Sequence, residues 1–132
     1  MRPIVAVRRL AAASVLVAVL AAAGCAKPPS VAEGQALYRG NGCATCHGPL
    51  GHGDGPVGRT LKPPPRDFRD EQAFKNGTSV EAISETLEDG LTRDGSQMPR
   101  FDHLSRRERE SLALFVISMR HQSEFDSSRR TQ

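Results

Sequence analysis

The sequence predicts an all-α fold of three main helices, and three observations carry that expectation. Three segments each begin with Ser or Thr followed three residues later by Glu: Ser30 with Glu33, Thr78 with Glu81, and Ser105 with Glu108. This capping box satisfies the orphan N–H groups at a helix start. Apolar residues then recur at three- and four-residue intervals, the spacing of one helix face. No stretch alternates apolar and polar residues as a half-buried strand would, and no internal repeat is present. With five Phe, one Tyr and no Trp, the roughly one hundred residues of the globular part make a thin apolar core. A domain that small commonly leans on a covalent or metal constraint.

The N-terminus comes first. Arg2, Arg8 and Arg9 precede the apolar run Leu10 to Ala23, which reads as an export signal. The run is shorter than the about 20 residues a membrane-spanning helix needs. It ends in Ala22-Ala23-Gly24-Cys25, which resembles the lipobox of bacterial lipoproteins, where the Cys becomes the acylated first residue. Ala22 stands where that motif usually has Leu. Residues 1–24 are therefore read as a lipoprotein-type signal and Cys25 as the lipidation site; an ordinary cleaved signal or a short uncleaved anchor are the alternatives. Residues 25–30, with Pro28-Pro29, form a short tether holding the domain close to a membrane. The expected location is the periplasmic or extracytoplasmic face of a bacterial membrane.

The first helix is expected from Val31 to about Arg39, with Gly40 as its stop. Beyond it lies Cys43-Ala44-Thr45-Cys46-His47, the attachment signature of c-type haem. Two sulfurs at this spacing can form thioethers to neighbouring positions of one porphyrin edge, and the next imidazole then lies under the iron. A thioredoxin-like pair would need a βαβ surround, and a zinc site a second Cys/His pair. Neither is present, and a disulfide across two residues would be cramped. Of three cysteines, two go to haem and one to lipid, leaving no reactive thiol in an exported protein.

Gly48 to Pro56 is a glycine-rich loop without the Gly-Lys-Ser/Thr of a phosphate site. Pro63, Pro64 and Pro65 follow, then a weak helical turn near Asp70 to Lys75. The second helix carries Val80, Ile83 and Leu87 on one face and stops at Gly90. The third carries Leu112, Phe115, Val116 and Met119 as its stripe. Residues 122–132 are read as a polar, frayed tail.

This order resembles the small monohaem cytochromes c with a His/Met-ligated iron, over about residues 31–121. The resemblance implies a cytochrome c fold wrapped around one covalently bound haem c. It implies that Gly34 and Tyr38 of the first helix pack against Phe115 of the last. It also implies that a proline carbonyl orients the proximal imidazole, with Pro64 as the choice among three. His47 is the fifth ligand by position. For the sixth, Met98, Met119, His52, His103 and His121 are candidates. Met98, followed by Pro99 in the connector between the last two helices, fits the family's distal Met-Pro. Met119 reads as core, and His103 is the rival. Arg59, Arg66 and Arg100 are candidates for the haem propionates, solvated side chains being the alternative.

Those ligands set the expected function. A neutral, soft thioether favours Fe(II), and six-coordinate iron discourages binding of small molecules. The chain is thus read as a membrane-tethered one-electron carrier rather than an enzyme. It would serve respiratory complexes, a dehydrogenase, or a terminal oxidase or reductase. The alternative is a haem sensor or catalytic subunit with a labile sixth site. Nucleic acid is excluded as a partner. Three of the 18 basic residues belong to the signal, leaving 15 against 15 acidic ones and no basic stripe.

Overall fold

Helix α1, Val31–Gly40, starts where the Ser30 hydroxyl accepts a hydrogen bond from the Glu33 N–H, as the capping box requires. In the computed structural model, which describes residues 27–93 and 96–130, three further helices follow. They are the short α2, Cys43–His47, then α3, Val80–Asp89, and α4, Arg106–Arg130. Single 3-10 turns occupy Gly58–Thr60 and Glu71–Ala73, the second capped by Asp70, whose side chain accepts from the Gln72 N–H. The signal and Cys25 lie outside the described residues. No described helix is long and apolar enough to cross a membrane.

Three local expectations are corrected. The N-cap of α3 is Ser79, not Thr78: its hydroxyl accepts from the Ala82 N–H at 3.2 Å. Either hydroxyl could open this helix. Thr78 lends its carbonyl to Arg120 Nη2 at 3.5 Å instead. Between α3 and α4 lies a small antiparallel hairpin, β1 (Leu91–Arg93) and β2 (Ser96–Met98), with Leu91 opposite Met98. Strands of three residues are too short to show an alternating pattern. Finally, α4 continues as helix to Arg130, into the 122–132 segment expected as a frayed tail. The capping box at Ser105 forms in full: Glu108 Oε2 accepts from the Ser105 N–H and hydroxyl, and Ser105 Oγ accepts from the Glu108 N–H.

The core is the crossing of α1 with α4, closed on its other side by α3. Leu112, Phe115, Val116 and Met119 are all buried, as are Ile83 and Leu87 of α3. Each such side chain contributes roughly 1.5–3 kcal/mol through burial. The helices approach so closely at Gly34 that a Cβ there would lie 1.9 Å from the Ser111 carbonyl oxygen. Beside this contact Tyr38 meets Phe115 edge-on, ring centroids 5.3 Å apart.

A polar lock spans the same crossing. Arg107 forks onto Glu33 at 2.5 and 2.7 Å, and the Ser111 hydroxyl donates to Glu33 Oε2 at 2.8 Å. The Arg107 hydrogen bond, then that of Ser111, hold the Glu33 carboxyl down from 4.5 to about 2. A lowered carboxylate pKa stabilises the fold fully above its ordinary value and loses that effect as pH falls. Glu33→Gln should therefore unfold more readily than the parent at neutral pH. The gap between their denaturant midpoints should close as pH falls from about 4.5 towards 2; a gap that stays constant down to acid would refute the linkage.

Candidate haem site

The signature residues form their own short helix, and the glycine-rich loop is fastened to its end. Gly53 N–H donates to the His47 carbonyl at 2.9 Å, Gly55 N–H to that of Cys46 at 3.2 Å, and Val57 N–H to that of Thr45 at 3.0 Å. The orphan carbonyls of a helix end are satisfied this way by the loop that follows. Close approach explains the glycines. A Cβ at Gly58 would meet the Cys46 carbonyl at 2.1 Å, and one at Gly55 the Thr45 carbonyl at 2.4 Å. The loop is therefore a backbone splint on α2, and the phosphate reading of its glycines has no role to fill. Tyr38 completes the anchorage, its hydroxyl donating to the Gly48 carbonyl at 2.7 Å. Burial pushes that phenol's pKa upward.

Two cavities open beside α2 and share Cys43, His47, Arg66, Leu91 and Met98 in their linings. The deeper one reaches the core at Tyr38, Ile83, Leu87, Leu112 and Val116. The shallower one runs under Cys46 and Pro63–Pro65 to Pro99 and Phe101. Their walls are mainly apolar, as a flat apolar ligand requires. Both thiols are free, and burial raises that of Cys43 to about 11. Among the described residues no three His, Cys, Asp or Glu converge as a metal-ion site.

His47 is half-buried, since it opens onto the cavity, but its Nδ1 is fully buried and makes no well-formed hydrogen bond. Burial pulls the imidazole down to about 4, opposed by a hydrogen bond to the Arg66 backbone. Pro64, the residue expected to orient the ring, lines the shallow cavity with Pro63, Pro65 and Arg66. The neutral imidazole is the form that binds a metal. Phe68 stacks on the ring with centroids 4.7 Å apart. Its own N–H is held by the Gly51 carbonyl at 2.8 Å. Nothing in the sequence announced Phe68, since it sits alone in a proline-rich stretch without periodicity.

Of the five candidates for a second axial ligand, Met98 alone lines these cavities with His47. Met119 is in the core. The exposed His103 turns its Nε2 to Asn41 Oδ1 at 3.1 Å. His52 and His121 line neither cavity. Met98 is carried at the end of β2, and the chain beyond it is tied to α3 by Phe101 N–H to the Leu87 carbonyl at 2.7 Å. Arg100 Nε adds a bond to the Glu88 carbonyl at 3.2 Å. Beneath, the buried Arg109 joins Glu88 Oε2 to the Leu104 carbonyl, both at 2.5 Å. Burial of the Arg109 guanidinium makes it a brace for the methionine loop.

A cradle between an imidazole and a thioether, edged by two thiols, fits haem. The comparisons with known proteins agree. The cytochrome c family model matches residues 31–120. A solved chain from the Kuenenia stuttgartiensis reducing HAO-like protein complex Kustc0457/Kustc0458 is 31% identical, with a TM-score of 0.60 over 71% of this chain and 45% of that one. This chain thus spans less than half of that neighbour's length. No curated protein sequence matches it. The match over most of the chain, on top of a Cys43–Cys46–His47 helix bordering an apolar cradle, makes this a member of the cytochrome c family, whose cofactor is covalently attached haem c.

Proposed function

We propose that this chain is a membrane-tethered one-electron carrier whose haem iron is held by His47 and Met98. The observation that carries the reading is the shared lining of the cavities by those two side chains and no other candidate ligand. Bound haem supplies the redox chemistry, one electron taken and given at the iron. The chain supplies attachment through Cys43 and Cys46, a desolvated neutral imidazole at His47, and a soft thioether at Met98. His47 and Met98, both supplied by the chain, would hold the iron in either oxidation state, so little would need to rearrange as the electron moves. The apolar walls keep water out and favour the less charged ferrous state.

Export and lipid attachment at Cys25 belong to the same proposal and rest on the N-terminal pattern. Its partners would be redox proteins reached from the membrane surface. The Kuenenia neighbour belongs to a reducing HAO-like complex, which favours a second reading: a haem subunit fixed within a larger redox assembly.

One purification tests the whole. The matured protein should keep its haem on a denaturing gel, gain one acyl-modified cysteine by mass spectrometry, and take up one electron reversibly. It should not bind carbon monoxide when reduced. Ready carbon monoxide binding would point to an open sixth site and overturn the carrier reading.

Gly90, the C-cap of α3, is a positioning residue for Met98. Its φ is +70°, and a Cβ there would lie 2.8 Å from the Met98 carbonyl and 3.2 Å from the Arg100 nitrogen. Gly90→Ala should cost about 1–3 kcal/mol in stability and loosen Met98 selectively. The ferric charge-transfer band of a thioether ligand should then fade at lower denaturant than helix melts. Loss of both signals together would leave Gly90 with a purely structural role.

A further inference from the structure

One loop holds His47 at its main chain and seats the ring that lies on its side chain. Gly53 N–H donates to the His47 carbonyl, and two residues earlier the Gly51 carbonyl accepts from the Phe68 N–H. Gly51 has a φ of +74°, and a Cβ there would lie 2.3 Å from Phe68 Cδ2. The absent side chain at position 51 is therefore the space that Phe68 fills. Phe68 is 7% exposed and stacks on the imidazole with an interplanar angle of 28°. Both residues line the deeper cavity. Behind Phe68 stands Phe74, 6.1 Å away between centroids, and Arg120 lies over Phe74 at 5.4 Å. In a close-packed wall of this kind Phe68 has little room to withdraw.

We propose that Phe68, seated by Gly51, is the positioning residue that fixes the plane of the His47 imidazole at the iron. The proposal rests on the haem reading with His47 as ligand, and goes beyond it by naming what sets the angle of that ring. A metal-bound imidazole keeps one soft rotation, about its bond to the metal, and neighbouring groups decide where it rests. A flat ring stacked on its face opposes the rotation, because turning the imidazole drives its edge into that face. An aliphatic side chain would cover the imidazole without offering a plane. The angle matters for electron transfer. The imidazole π system donates into whichever iron d orbital its plane selects, and that choice decides over which porphyrin positions the unpaired ferric electron spreads. Phe68 acts on the electron's path through His47.

The test is spectroscopy of the haem-loaded protein. In the reduced, diamagnetic parent, nuclear Overhauser contacts should join the ring protons of His47 and Phe68. In the oxidised protein, haem-methyl proton shifts and low-temperature electron paramagnetic g values report the imidazole plane. Phe68→Leu should reorder or compress the methyl shifts and broaden the g values, while the charge-transfer band of Met98 stays. Phe68→Tyr should keep the parent pattern. Phe115→Leu is the control for a loosened core: Phe115 is also 7% exposed but lines neither cavity, so the pattern should hold there too. Unchanged shifts and g values in Phe68→Leu would overturn the proposal, as would the same change in Phe115→Leu. Should Phe68→Leu not fold, the parent decides: the ring-to-ring contacts support the proposal and their absence overturns it. The parent's low-spin ferric spectrum reports the ligand pair separately, so a wrong ligand set and a wrong role for Phe68 give different results.

Discussion

Met98→Ala should abolish the ferric charge-transfer band, lower the midpoint potential and let the ferrous iron take carbon monoxide. The drop should be on the order of 0.1 V or more, part of the roughly 0.8 V over which axial ligands set haem potentials. The sign follows from the ligand: a neutral, polarisable sulfur favours Fe(II) over Fe(III), and water or hydroxide in its place does the reverse. The fold should survive. Met98 pairs with Leu91 through the hairpin backbone, and the chain beyond is fastened by Phe101 and Arg100 to α3, none of which needs the thioether. Far-ultraviolet circular dichroism should thus barely change. Met98→His offers a second check, because a second imidazole would keep six coordination without the sulfur band and at a lower potential. Met119→Ala is the contrast: it opens the core and costs about 2–5 kcal/mol, yet should leave the band in place. A Met98→Ala protein that retains the band would assign the sixth ligand elsewhere.

What could be read from the sequence divides by how local the cause is. The cysteines and His47 were legible because their spacing is itself the chemistry. Ser30 and Ser105 were legible because a capping box closes within one turn. Thr78 was misread in favour of itself over Ser79 because two adjacent hydroxyls satisfy the same local rule. The partners that shape the site were hidden for the opposite reason. Phe68 reaches His47, Arg109 reaches Glu88, and Arg120 reaches Phe74 only after the chain has folded back on itself. No periodicity encodes such meetings. The hairpin that carries Met98 was missed because three-residue strands leave no pattern, although Gly90 and the Met-Pro step marked the turn around them.

Gly34→Ala is expected to be the most damaging of all single-methyl additions to the α1–α4 crossing. In an isolated helix the change would help, since Gly costs about 0.5–1 kcal/mol relative to Ala. Here the new Cβ would lie 1.9 Å from the Ser111 carbonyl oxygen, 2.6 Å from its carbon and 2.8 Å from Phe115 Cβ. Those atoms are backbone or its first branch, so no rotamer change relieves the overlap and the helices must separate. Separation strains everything that spans the crossing: the Tyr38–Phe115 pair, the Glu33–Arg107–Ser111 lock, and Ser30 N–H on Ser111 Oγ at 3.1 Å. A loss of about 3 kcal/mol or more is expected, at or beyond the usual range for overpacking. That is a large share of the roughly 5–15 kcal/mol by which domains are stable. Gly40→Ala is the internal control, for a Cβ there meets nothing within 4 Å and should stabilise by about 0.4–1 kcal/mol. Denaturant unfolding of the two haem-loaded variants should therefore move in opposite directions from the parent. If both shift alike, the close crossing is not what fixes glycine at position 34.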